Sequence, residues 1–261
     1  MIAHPDPFPE VNGRGIERLR QAGVTVSLGI EEAPARWLNR RFLGSVENGR
    51  PYIVLKWARS LDGFLDRHPR SSRIVQRISS PDTDVLVHRW RTEEQAILVG
   101  SRTVLNDDPQ LTTRLCSGPQ PLRVVLDRKG ITPPGSRVYD DRAPSLMFTD
   151  VLRADVRVEQ VTLPKDPDPL PGMMDELHRR RIRSLLVEGG AELLGHFIRS
   201  GLWDEARVIT GDVFLGLGTK APVLQGLPER SQHVGADRIS FHVNHRPNLK
   251  LGAIPDPTWP W

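Results

Sequence analysis

The 261-residue chain has one cysteine, Cys116. That excludes an intramolecular disulfide and any zinc site built from several thiolates, and it points to a reducing compartment. No apolar run approaches the length that spans a bilayer, and the Met1-Ile2-Ala3-His4-Pro5 start lacks the basic and apolar regions of a secretory signal. A cytoplasmic protein without membrane contact is expected. The eight histidines are scattered without ligand spacing, so no metal centre is expected. The net charge of +4 raises nucleic-acid binding as a class. Against it, the arginines are spread along the chain, and the run Arg179-Arg180-Arg181 falls at the expected C-terminal end of a helix, where the dipole favours cations. Aromatic interleaving of the kind single-strand binders use is also missing. No nucleic-acid partner is expected.

What is present is an ordinary globular composition, 38% hydrophobic and 26% charged, in a chain long enough for one core plus an appendage. Residues 1–48 pattern as a short helix (Ile16, Leu19, Ala22), a strand at Val24 to Leu28 and a helix from about Glu31 to Phe42. So small a unit rarely holds a core alone. Asn48-Gly49 marks a turn and a boundary, leaving 49–261 as the main domain. There, Val/Ile/Leu-rich strands at 52–57, 96–100, 122–127, 145–148, 156–161, 185–187 and 205–210 alternate with helices. Ser80-Pro81-Asp82 starts one helix with a capping hydroxyl, a proline and an acid. Near-continuous apolar strands between helices imply a mostly parallel sheet covered on both faces. A closing pair of strands is expected over 237–251, and no internal repeat is found.

Three stretches at the expected carboxyl ends of strands place small residues beside hydroxyl, acid or base. They are Lys56 to Gly63, Gly100 to Arg114, and Glu188 to Gly195. This is how a dinucleotide crevice is assembled in an open α/β sheet. The pair Gly189-Gly190, between the strand 185–187 and a helix closed by Gly201, lets backbone amides approach a ligand. The helix start behind it offers unpaired N–H groups to a phosphate. Two guanidiniums of the right reach can fork onto a phosphate monoester.

The motifs Lys56-x-Ala58-x-Ser60-Leu61-Asp62-Gly63, Ile97-Leu98-Val99-Gly100-x-x-Thr103-Val104-Leu105-x-Asp107-Asp108-Pro109-x-Leu111-Thr112-x-Arg114 and Val187-Glu188-Gly189-Gly190 resemble the reductase domain of the bifunctional riboflavin-biosynthesis deaminase/reductase family. The resemblance covers roughly 51–250. It implies a dihydrofolate-reductase-like α/β fold, with a small N-terminal α/β remnant similar to the end of the family's deaminase domain. It also implies NADPH as cofactor, and as reaction the reduction of the ribosyl group of 5-amino-6-(5-phosphoribosylamino)uracil to a ribityl chain. A homodimer is the usual assembly of related reductases. The family pattern puts Ala58, Thr103, Asp107 and the loop Gly189, Gly190, Ala191, Glu192, Leu193, Leu194, Gly195, His196 around NADPH, with Arg128 at the cofactor's edge. Arg91, Leu111, Arg114 and Glu188 face the substrate. Lys56, with Asp62 or Asp107 nearby, is the candidate for stabilising an oxyanion or donating a proton as the sugar opens. Arg102 and Arg128 are both candidates for the 2′-phosphate.

Two departures accompany the resemblance. The chain has neither the His-x-Glu pair nor the Pro-Cys-x-x-Cys pair that a zinc deaminase needs. A stand-alone reductase or a fragment of a longer reading frame is therefore expected, without deamination. Where the family often has Ser-x-Trp-Ile-Thr/Ser, this chain reads Val75-Gln76-Arg77-Ile78-Ser79. Arg77 is then the residue expected to stack on or pair with the cofactor. The alternatives are a reductase of another pyrimidine or pteridine, or a non-catalytic nucleotide-binding relative.

Overall fold

The computed structural model describes residues 1–8, 10–11, 13–67, 77–163 and 167–245. Its main sheet has nine strands: β1 (Tyr52–Arg59), β3 (Ala96–Gly100), β4 (Leu122–Leu126), β5 (Ser145–Thr149), β6 (Glu159–Thr162), β7 (Ser184–Val187), β8 (Glu205–Thr210), β10 (Arg230–Val234) and β11 (Asp237–Val243). They lie in the order β10-β11-β8-β1-β7-β3-β4-β5-β6. From β8 to β6 every pairing is parallel, and the β10–β11 hairpin closes one edge antiparallel. The chain steps outward from β3 to β6, then returns to insert β7 between β1 and β3. That reversal opens a crevice at the carboxyl ends of the three central strands.

Side chains alternate across β1, so the two faces differ. Ile53, Leu55 and Trp57 pack with Leu170, Met173 and Leu177 of α6 (Leu170–Arg179) and with Leu193, Leu194 and Phe197 of α7 (Ala191–Ser200). Tyr52 and Val54 pack on the other face with Val104 of α5 (Ser101–Asp107), and Ala58 lies against Val87 and Trp90 of α4 (Pro81–Glu93). Lys56, between Val54 and Ala58, is thereby aimed to the α4 side. The cap expected for α4 is present, with Ser80 Oγ accepting from Thr83 N–H at 3.4 Å. Gly201, in the left-handed region at φ 65°, ends α7.

Before β1 come α1 (Arg14–Gln21), α2 (Glu32–Leu38) and α3 (Arg40–Asn48). The single helix expected over 31–42 is two. Asn39 leaves helical geometry, and its side-chain amide donates to the Ala35 carbonyl at 3.0 Å. The strand expected at Val24 to Leu28 is only one bridge, Ile2 to Leu28, because no neighbouring strand is there to pair with it. The closing hairpin lies earlier than 237–251, at 230–234 and 237–243, and 246–251 fall outside the described residues. The segment around Leu215 to Gly218, expected as loop, includes the start of β9 (Gly218–Lys220), which pairs with β2 (Phe64–Arg67).

Among the described residues no helix is long and apolar enough to cross a membrane, and no group of His, Cys, Asp and Glu is placed to hold a metal ion.

Candidate active site

Parallel register brings the central residues together. Leu55 pairs with Val187 and Leu98 also pairs with Val187, so the next residues, Lys56 and Glu188, stand side by side at the rim. Lys56 Nζ lies 3.6 Å from Glu188 Oε2. α4 supplies the third member. Arg91 forks onto the same carboxylate, Nε to Oε1 and Nη2 to Oε2, both at 2.8 Å. The three side chains are 10–14% exposed. Burial alone pushes the Glu188 carboxyl up. The Arg91 guanidinium and the Lys56 ammonium overturn this and hold it at about 2, so it is a fixed anion at neutral pH.

The stretch after α5 forms the adjoining wall. Asp107 ends α5, and Asp108, at φ 41°, turns the chain while its Oδ1 accepts from Arg137 N–H at 2.7 Å. Leu111 is buried with φ 55°, and Arg91 Nη1 donates to the Thr112 carbonyl at 3.2 Å. Arg114 follows, exposed at the rim. Burial, Arg91 and Arg137 all disfavour its charge, and among the described residues no carboxylate pairs with its guanidinium. Lys56 and Arg91 thus share the single carboxylate of Glu188, with the Arg114 guanidinium beside them, an arrangement that favours an anionic ligand.

The glycine pair behaves as a close-approach site. Gly190 is the N-cap of α7 with ordinary dihedrals and no side-chain cap, so the first N–H groups of α7 are left for another partner. A side chain at Gly189 would meet Leu193 Cδ2 at 2.8 Å and Leu193 Cβ at 3.0 Å. One at Gly190 would stand 3.6 Å from the Thr103 hydroxyl. Arg102 of α5 and Glu192 of α7 pair at 2.9 Å on the surface, holding the two helix starts side by side. Uncapped amides, a hydroxyl and no Cβ between them are the donor set a dinucleotide phosphate needs, so the residues fit such a cofactor.

Other expected residues already have protein partners. His196 sits further along α7 and pairs with Asp168 at 3.1 Å. Arg128 follows β4 and pairs with Asp150 at 2.9 Å. Arg77 pairs with Asp84 on α4, and Val75 and Gln76 fall outside the described residues. Asp62 is not free for chemistry. Its carboxylate accepts from Ser60 Oγ at 2.6 Å, Leu215 N–H at 3.1 Å and Gly216 N–H at 2.7 Å, which fastens the 213–216 loop. Two further residues, which no sequence motif singles out, adjoin Arg114. Arg137 adds a cation near Arg114, and the buried His88 accepts from Arg114 N–H through Nδ1 at 3.1 Å. The helical spacing of His88 and Arg91 was the available signal.

Residues 51–243 match the model of the RibD C-terminal domain family. The riboflavin biosynthesis protein RibD of Bacillus amyloliquefaciens is 35% identical over 97% of this chain and 71% of its own length. Among solved structures, RibD of Acinetobacter baumannii superposes with a TM-score of 0.81 at 30% identity, over 93% of this chain and 72% of that one. The deaminase/5-amino-6-(5-phosphoribosylamino)uracil reductase of Thermotoga maritima gives 0.77 at 28% identity, over 92% and 70%. The chain spans between 60% and 71% of the length of the curated RibD relatives it matches first. Fold, crevice and relatives together define an oxidoreductase of the dihydrofolate-reductase-like class. The chain belongs to the RibD C-terminal domain family, the reductases of riboflavin biosynthesis.

Proposed function

We propose that the chain reduces the ribosyl group of 5-amino-6-(5-phosphoribosylamino)uracil, or its close chemical equivalent, to the ribityl chain with NADPH. The single observation that carries this is the Lys56–Glu188–Arg91 cluster at the strand ends, with Arg114 left without a carboxylate partner among the described residues beside it. When bound, the nicotinamide supplies the hydride. The uncapped start of α7, Gly189, Gly190 and the Thr103 hydroxyl hold its phosphates, with Ala58 and Asp107 on the adjoining rim. Arg114, with Arg137, takes the phosphate monoester of the substrate. Glu188, ionised and fixed by Arg91, accepts from substrate N–H or hydroxyl groups through its remaining lone pairs. The Lys56 ammonium faces the sugar oxygen as negative charge develops there and gives it a proton. Glu188 keeps that ammonium in place. The working form is a homodimer without nucleic-acid or membrane partners.

Complementation of a riboflavin auxotroph lacking only the reductase step tests the assignment. Growth is expected, and absence of growth in a strain whose purified chain still binds NADPH would move the assignment to another pyrimidine or pteridine substrate.

A further inference from the structure

His88 takes no part in the chemistry above, yet it is only 3% exposed beside the crevice. It lies on α4 one turn before Arg91, so the two side chains share a helix face. Both reach the same short segment. His88 Nδ1 accepts from Arg114 N–H at 3.1 Å, and Arg91 Nη1 donates to the Thr112 carbonyl at 3.2 Å. Between them, Thr113 N–H is taken by Gln120 Oε1 at 2.9 Å. Leu111, just before, is a branched residue in the left-handed region, a conformation that persists only where neighbours impose it. The backbone of 112–114 is thus tied to α4 at two points, one through each side chain. The bond also selects the tautomer, with the Nδ1 lone pair as acceptor and the proton on Nε2. Burial, then Arg91 and Arg114, lower the imidazole to about 4, so the accepting form is the one present at neutral pH.

We propose that His88 is a positioning residue for the substrate site: its Nδ1 acceptor sets the backbone of 112–114 and hence the point from which Arg114 meets the anionic end of the substrate. This rests on the assignment of Arg114 to the substrate. His88 itself touches no reacting group.

Steady-state kinetics of the full chain with three variants tests it. Arg114→Ala sets the scale, and an unchanged KM for the pyrimidine there would overturn the assignment of Arg114 itself. His88→Leu keeps bulk but cannot accept. The expected result is a rise of about 10-fold in that KM, the worth of one lost hydrogen bond, with kcat and NADPH affinity held within about threefold. His88→Asn places an oxygen near the position of Nδ1 and should recover most of the KM. A role in packing alone would lower the melting temperature of both variants without any recovery of KM by Asn. If Arg114→Ala raises KM and His88→Leu does not, or if Asn is no better than Leu, the positioning role is wrong. Should His88→Leu fail to fold, His88→Gln, whose amide reaches the Nε2 position instead, should raise KM where His88→Asn does not. Equal values for those two would equally overturn the proposal.

Discussion

The two ends of the central strands carry the same residue types arranged for opposite purposes. Toward the amino ends, Arg40 and Arg41 meet Glu205 and Glu94, and Arg207, in register with Lys56 on β1, extends the cluster to Glu93. Arg40 bonds Glu205, Arg41 chelates Glu94 with Nε 2.9 Å from Oε2, and Arg207 lies 3.6 Å from Glu205 and 3.6 Å from Glu93 over the Trp90 ring. Beside them Arg50 forks onto Asp204 at 2.6 and 2.7 Å. Charges balance, and α3 is fastened to β1 and β8. At the carboxyl ends, Lys56 and Arg91 share Glu188, and Arg114 is left over among the described residues. A balanced, buried cluster is cement. A cationic surplus opening on a crevice is a site.

The sharpest way to break this contrast is the same truncation at each end. Arg91→Ala and Arg41→Ala each deprive a buried carboxylate of its main partner and should each cost about 3 kcal/mol of unfolding free energy in urea melts. Only Arg91→Ala should also abolish measurable substrate binding by calorimetry. An equal loss of binding in Arg41→Ala would erase the distinction. Next in size, Gly189→Val drives a side chain into Leu193 and should cost about 1–3 kcal/mol while weakening NADPH binding in a fluorescence titration.

Acid sharpens the comparison further. Glu188 and Glu205, one at each end, are both held near 2 against an ordinary 4.5. Depressed carboxyls contribute stability that is complete above 4.5 and is lost as pH falls through 2, so both ends fail together in strong acid. His88, lowered from 6.5 to about 4, belongs to the carboxyl end alone. The unfolded imidazole binds a proton first, so stability falls as pH drops from 6.5 toward 4, by at most about 1.4 kcal/mol per unit. His88→Asn should flatten that upper part of a pH-dependent unfolding series and leave the lower part unchanged. Smallest of all, Arg102→Ala breaks an ion pair whose members are 78% and 75% exposed and should change stability by less than about 0.5 kcal/mol.

Much of this was legible in the chain. Apolar β-branched runs mark β1, β3, β4, β7 and β8, Ser80 and Gly201 mark helix ends, and three motif-bearing loops were expected at one rim. What local pattern does not carry is pairing at a distance. Glu205 answers Arg40 and Tyr52, and Glu94 answers Arg41, across long stretches that no periodicity links. The helix over 31–42 breaks because one asparagine prefers a backbone carbonyl, and Val24 to Leu28 stays unpaired because strand propensity needs a neighbour. The left-handed Leu111 and the acceptor role of His88 depend on how α4 meets the 112–114 segment, which is visible only in three dimensions.

Lys56 acts where the strand ends converge, and one measurement addresses that role most directly. NADPH oxidation is followed after adding the pyrimidine substrate to the purified wild-type chain and to Lys56→Met, with NADPH affinity measured in parallel. The expected result is substrate-dependent oxidation by the wild type and a loss of about 100-fold or more in Lys56→Met, with NADPH affinity unchanged. Equal turnover in the two proteins, or no oxidation by a wild-type chain that binds NADPH, would contradict it.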